Sequence, residues 1–151
     1  MTEAGVLERF KTLKVNPQLL EEGKSSINLM RTDIIGLTVQ VVSPSGGETN
    51  LHAHANSEAI WYVLSGRVAF YTEGDQEVAK LGANEGLLIP RGTPYWFKCI
   101  SEEPLVVLRM SAVDKSMPGG RIDYTERKFA VGDGEGAERP VTALEGKFFG
   151  G

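Results

Sequence analysis

The chain has two histidines, His52 and His54, and both fall in the run LHAHANSEAIWYVLSGR between Leu51 and Arg67. Side chains of a β-strand alternate between its faces, so imidazoles two positions apart project to the same side. Placed in this way they can take adjacent positions on one metal ion. Two ligands do not complete a site, because structural zinc takes four protein ligands and catalytic zinc usually three. Two readings follow. Either further side chains join the pair and hold a divalent metal with positions open to substrate, or the histidines are hydrogen-bonding groups in a metal-free pocket. Nothing resembles a serine-histidine-acid triad, because both histidines are spent on one strand.

The elements that must position this pair are strands. From Ser26 to Met110 the chain runs INLMRT, GLTVQVV, LHAHA, AIWYVLSG, RVAFYT, EVAKL, GLLIP, PYWFKCI and PLVVLRM, separated by turns rich in Gly, Pro, Asn and Ser. That texture predicts an all-β, antiparallel fold, a sandwich or small barrel in which stacking or closure removes exposed edges. Ahead of it, Val6, Leu7, Phe10 and Leu13 recur at helical spacing. Asn16-Pro17 followed by QLLEEG reads as an N-cap, a first-turn proline and a glycine stop. Two short helices are therefore expected within residues 1–25, the barrel over 26–112, and an extension over 113–151 that packs on the barrel or on a partner subunit. Within the extension, FAVGDGEGAERP reads as a mobile loop, and VTALEGKFFGG is apolar enough to dock.

Composition narrows the function. A chain of 151 residues, 41% hydrophobic and 24% charged, fits one globular domain that buries roughly two thirds of its unfolded surface. Its net charge of -4 is spread over interspersed signs, and without a basic run to neutralise phosphates no nucleic-acid partner is expected. No apolar stretch reaches the length of a membrane span and the N-terminus lacks a signal-peptide pattern, so no membrane and a cytoplasmic location are expected. Cys99, the only cysteine, has no intramolecular disulfide partner. With no acid or base tied to it, it reads as a small apolar filler rather than a nucleophile.

Gly46, His52, His54, Glu58 and Gly66, in that order and spacing, resemble the first motif of the cupin superfamily. NEGLLIPRGTPYWFKC, Asn84 to Cys99, is similar to the second. The resemblance implies a double-stranded β-helix (jelly-roll) barrel, often homodimeric, with any active site inside the barrel mouth. It also implies a metal held by two histidines and a glutamate or glutamine from the first motif and a histidine from the second. Three departures stand out. Seven residues separate Glu58 from Gly66 where six are usual, which puts Ala59 at the carboxylate position unless a bulge near Asn56-Ser57 turns Glu58 inward. Tyr95 occupies the place of the third histidine, and Cys99 that of a common asparagine. Asn84 replaces a glycine, a change that asparagine's tolerance of left-handed backbone angles accommodates.

If Ala59 faces inward, Trp61 and Val63 follow it, and Tyr95, Phe97 and Cys99 line the facing strand. Gln40 could reach the same space from a neighbouring strand. An apolar, aromatic cavity with a few converging polar groups is the usual form of a small-molecule site, although each aromatic is equally suited to the barrel core. Arg67 and Arg109 would supply a carboxylate or phosphate clamp if they point inward, and decorate the surface otherwise. The reading is a small-molecule-binding barrel with a divalent metal (Fe, Zn, Mn or Ni) on His52, His54 and Glu58. As an enzyme it would be a metal-dependent oxygenase, isomerase or lyase of a small metabolite. The alternative is a metal-free ligand-binding or sensing barrel. No organic cofactor is indicated.

Overall fold

Apolar residues alternate with a period of two in the segments between residues 24 and 113, and this stretch folds as strands joined by turns and loops. The structure, a computed structural model, describes residues 3–126 and 140–151. It has a helix α1 (Glu3–Leu7) followed by β1 (Gln18–Glu22), β2 (Lys24–Arg31), β3 (Ile35–Val42) and β4 (His52–His54). Next come β5 (Ser57–Ser65), β6 (Val68–Tyr71), β7 (Glu77–Leu81), β8 (Gly86–Ile89) and β9 (Trp96–Cys99). The chain ends with β10 (Leu105–Val113), β11 (Arg121–Asp123) and β12 (Thr142–Phe148). Each of the nine segments expected as strands contains one. Apart from Pro140, the loop expected at FAVGDGEGAERP lies outside the described residues.

Strands β2-β3-β10-β5-β8 form one antiparallel sheet and β7-β6-β9 a second. The pair β4-β11 extends the second layer beside β9. His52 and Tyr95 exchange backbone hydrogen bonds of 3.1 and 2.8 Å, and the Thr49 amide donates to the Phe97 carbonyl at 3.0 Å. Between the layers lie Val42, Trp61, Val63, Phe70, Phe97, Leu105 and Val107, all buried. Burial of each large side chain stabilises the fold by roughly 1.5–3 kcal/mol. Gly66 turns β5 into β6 at φ +78°, where a Cβ would lie 2.7 Å from the Pro104 carbonyl oxygen, so only glycine fits. Asn84 adopts φ 68°, and its Oδ1 accepts a hydrogen bond from the Tyr62 hydroxyl at 3.2 Å.

The N-terminal segment corrects one expectation. Residues 18–22 form a strand rather than a helix, paired with β12 through Leu20 and Ala143. Leu20 is buried with Val39, Val41 and Val106 on the outer face of the large sheet, flanked by Val15, Leu19 and Phe149. Five residues are too few to nucleate a helix unaided, and this apolar outer face offers a strand partner and a cover instead. The first helix is also shorter than its sequence pattern. It ends at Leu7, and Phe10 and Leu13 are exposed, without a surface to complete the helical face.

Candidate functional site

Strand β4 carries both histidines on the inner side of the barrel mouth. Their ring centroids lie 5.2 Å apart, edge to face, and the Tyr95 ring lies 4.4 Å from that of His52. His52 Nδ1 is 2.6 Å from the Asn50 carbonyl oxygen. For a neutral ring this places the proton on Nδ1 and leaves the lone pair on Nε2. Asn50 is itself braced: its amide donates to Asp123 Oδ1 at 2.9 Å, and Arg121 donates to its Oδ1 at 2.7 Å. Arg121 also pairs with Asp123 at 2.9 Å. These three residues fix the ring of His52 from behind.

Burial lowers the pKa of His52 to about 3, helped by the Arg121 guanidinium. His54, half-buried, is lowered to about 4 by burial and then by Arg109 and Arg121. Both are neutral at physiological pH. Burial raises the Tyr95 pKa, with Arg109 and Arg121 working against it, so the phenol keeps its proton. Lys24, with its ammonium 5.4 Å over the Phe97 ring, is lowered to about 7 by burial and by the same two arginines. This end of the barrel therefore concentrates positive charge.

Strand β5 decides the place of Glu58. Its burial alternates regularly, with Ala59, Trp61 and Val63 inward and Glu58 and Ile60 outward. Pairing with β10 runs without interruption from Ser57 opposite Val113 to Val63 opposite Val107. No bulge rotates Glu58 towards the histidines. Its carboxylate instead pairs with Arg91 at 3.2 Å on the surface, and Arg91 also reaches Asp114 at 3.6 Å. The expectation that Glu58 joins the histidines is corrected accordingly, and Ala59 stands in its place. Among the described residues no three His, Cys, Asp or Glu side chains come together as a possible metal site. Two imidazoles, a protonated phenol and neighbouring guanidiniums do not fit the four-ligand set implied by the resemblance.

A cleft of about 180 Å³, its mouth included, opens beside the pair and is lined by His54, Ser57, Ala59, Ile89, Pro90, Thr93, Tyr95 and Arg109. Of the aromatic and polar residues expected there, Tyr95 lines the cleft while Trp61 and Phe97 are packed in the core behind it. Cys99 lies four residues along from Tyr95, roughly 13 Å at the rise of a strand, and its thiol faces the Ser101 and Glu103 carbonyls at 3.5 Å. It fills the far end of the barrel. Gln40 is buried beneath the cleft on β3, opposite Val107. Arg109 belongs to the site because inward alternation continues along β10 from Leu105 and Val107, and because it pairs directly with Trp61 on β5. Arg121, Asp123 and Asn50 carried no signal in the sequence, since they lie in a turn and a three-residue strand with no periodicity to read.

Two facing layers of antiparallel strands, with the histidine pair at one mouth, define a double-stranded β-helix with a cleft beside that pair. Residues 38–111 match the Cupin domain family, in keeping with the double-stranded β-helix that these strands build. It is 29% identical over 99 residues to the uncharacterized protein MJ1618 of Methanocaldococcus jannaschii, covering 63% of this chain and 78% of that protein. In fold it is similar to a conserved double-stranded β-helix protein from Klebsiella pneumoniae, with TM-score 0.58, 17% identity and coverage of 68% of this chain and 86% of the other. It is also similar to the polyketide cyclase RemF from Streptomyces resistomycificus, with TM-score 0.57, 23% identity and coverage of 70% and 73%. No helix among the described residues is long and apolar enough to cross a membrane.

Proposed function

We propose that this chain is a metal-free, small-molecule-binding cupin whose cleft takes its ligand beside His54, Tyr95 and Arg109. The observation that carries the reading is the regular inward alternation of β5, which presents Ala59 where a carboxylate ligand would be needed and sends Glu58 to Arg91. A divalent cation would meet two imidazoles and the repulsion of Arg109 and Arg121. A neutral or anionic molecule would meet an apolar wall of Ala59 and Ile89 and a polar rim of Ser57, Thr93 and Tyr95. In this reading His52 and His54 act as neutral hydrogen-bonding groups.

The test pairs elemental analysis with ligand-detected NMR against mixtures of small metabolites. The expected result is little metal in the wild type or in a His52→Asn/His54→Asn variant, together with ligands whose signals are lost in Ala59→Phe, which fills the cleft. Near-stoichiometric metal that disappears in the double variant would overturn the metal-free reading. Ligands indifferent to Ala59→Phe would overturn the assignment of the cleft.

A further inference from the structure

We infer that the ligand of this cleft is a small carboxylate, gripped by Arg109 beside the Tyr95 hydroxyl. The inference rests on the small-molecule reading above and names its chemistry. Arg109 Nε and Trp61 Nε1 are buried without a well-formed hydrogen bond on the protein, and both side chains face the Tyr95 hydroxyl. Both groups can only donate, and a buried donor so loosely met favours an added acceptor. They are not scattered: Arg109 and Trp61 are directly opposed across β10 and β5, with the guanidinium carbon 5.8 Å above the indole ring. Arg109 also lines the cleft with Tyr95 and His54.

Charge points the same way. Arg109 forms no ion pair among the described residues, whereas the nearby carboxylate of Asp123 is engaged by Arg121 and Asn50. A planar guanidinium fork matches a carboxylate in a bidentate grip, which an ammonium does not reproduce. The enclosed part of the cleft has room for little more than one water-sized group, which fits a carboxylate seated at Arg109 with the rest of the acid towards the open mouth. Gln40 Oε1, likewise buried without a donor, lies on the same inner face and offers an acceptor to a hydroxyl on such an acid.

The experiment is a ¹H-¹⁵N titration at constant ionic strength with acetate, propionate and benzoate, each beside its neutral amide. It follows the Trp61 indole N–H, assigned with Trp96→Phe, and the Arg109 Nε–H. The acids should move both signals and bind about tenfold to a hundredfold more tightly than the amides, as expected for hydrogen bonds to a charged acceptor. Arg109→Gln should remove that preference, Arg109→Lys should restore only part of it, and the surface variant Lys80→Met should leave it intact. If Arg109→Gln does not fold, Tyr95→Phe, which removes the hydroxyl beside Arg109 and keeps an aromatic ring, should still weaken the acids selectively. Amides that bind as well as acids would overturn the carboxylate inference while leaving the small-molecule cleft standing. Sulfate or chloride moving the same signals with equal affinity would overturn it as non-selective charge attraction. Acids and amides that both fail to move the two signals would also overturn it, and the metabolite screen would then decide the cleft by itself.

Discussion

The two neutral histidines make the barrel acid-labile by an amount that can be worked out. In the unfolded chain each imidazole titrates near 6.5, whereas in the fold His52 is lowered to about 3 and His54 to about 4. A depressed native pKa means that, below about pH 6.5, the unfolded state takes protons that the folded state refuses. Stability contributed by the neutral rings is thus complete above that pH and is lost as pH falls towards the native values. Each histidine shifts the balance by up to about 1.4 kcal/mol per pH unit, or about 2 kcal/mol between pH 6.5 and pH 5. His52 is almost fully buried and should approach this figure; His54 is half-buried and should give less. The assay is urea unfolding at about pH 7.5 and about pH 5, for the wild type and for His52→Asn/His54→Asn. Carboxylate contributions are common to both proteins and cancel in the comparison. The wild type should lose about 2–4 kcal/mol more than the variant, a relative drop in midpoint of roughly 1–2 M at a urea slope near 2 kcal/mol/M. Equal losses would refute the reasoning, because the rings would then take up protons in the folded barrel as freely as in water.

Two other predictions concern the frame around the site. Gly66→Ala should lower thermal stability markedly, by about 2–4 kcal/mol when backbone strain and the contact with the Pro104 carbonyl combine. Gly74→Ala is the control: it shares a positive φ of 67° but its Cβ would meet nothing within 4 Å, so its cost should stay near 1 kcal/mol. Similar melting temperatures for the two variants would show that the Gly66 turn relaxes. Glu58→Gln should change stability by less than about 1 kcal/mol, because its partner Arg91 is also on the surface. Metal content and ligand affinity of that variant should match the wild type, and a loss of either would return Glu58 to the site.

What the sequence made legible was whatever repeats with a short period. Alternation identified every strand from β2 to β10, because half-buried strands impose it locally. Residues 18–22 carry a short helical signature and fold otherwise, since their partner β12 is more than a hundred residues away and a long-range pairing leaves no local mark. The phase of β5 was the harder matter. One inserted residue flips every later side chain to the other face, so the interval between Glu58 and Gly66 allowed either Glu58 or Ala59 inward. Uninterrupted pairing with β8 and β10 decides for Ala59, while the irregularity in the β5-β10 ladder falls between Val106 and Val107. Arg109 had a surface and an interior reading in the sequence, the surface one being the commoner place for such an arginine; continuation of the inward face beyond Val107 selects the interior one.

The acid-lability and the carboxylate grip act at the same end of the barrel and are thermodynamically coupled. Arg109 and Arg121 help to keep the histidines neutral, so an anion bound against Arg109 offsets part of that field and eases protonation of His54. By linkage, protonation of His54 must then favour the anion by the same factor. A bound acid stabilises the fold in proportion to the logarithm of its saturation, about 2.7 kcal/mol at a hundredfold excess over its dissociation constant, which is comparable with the acid-induced loss expected of His52. A saturating carboxylate should therefore flatten the descent of stability below pH 6.5, while its neutral amide leaves the slope unchanged. Arg109, half-buried and without an ion pair among the described residues, is in this way the group through which ligand and proton are felt together.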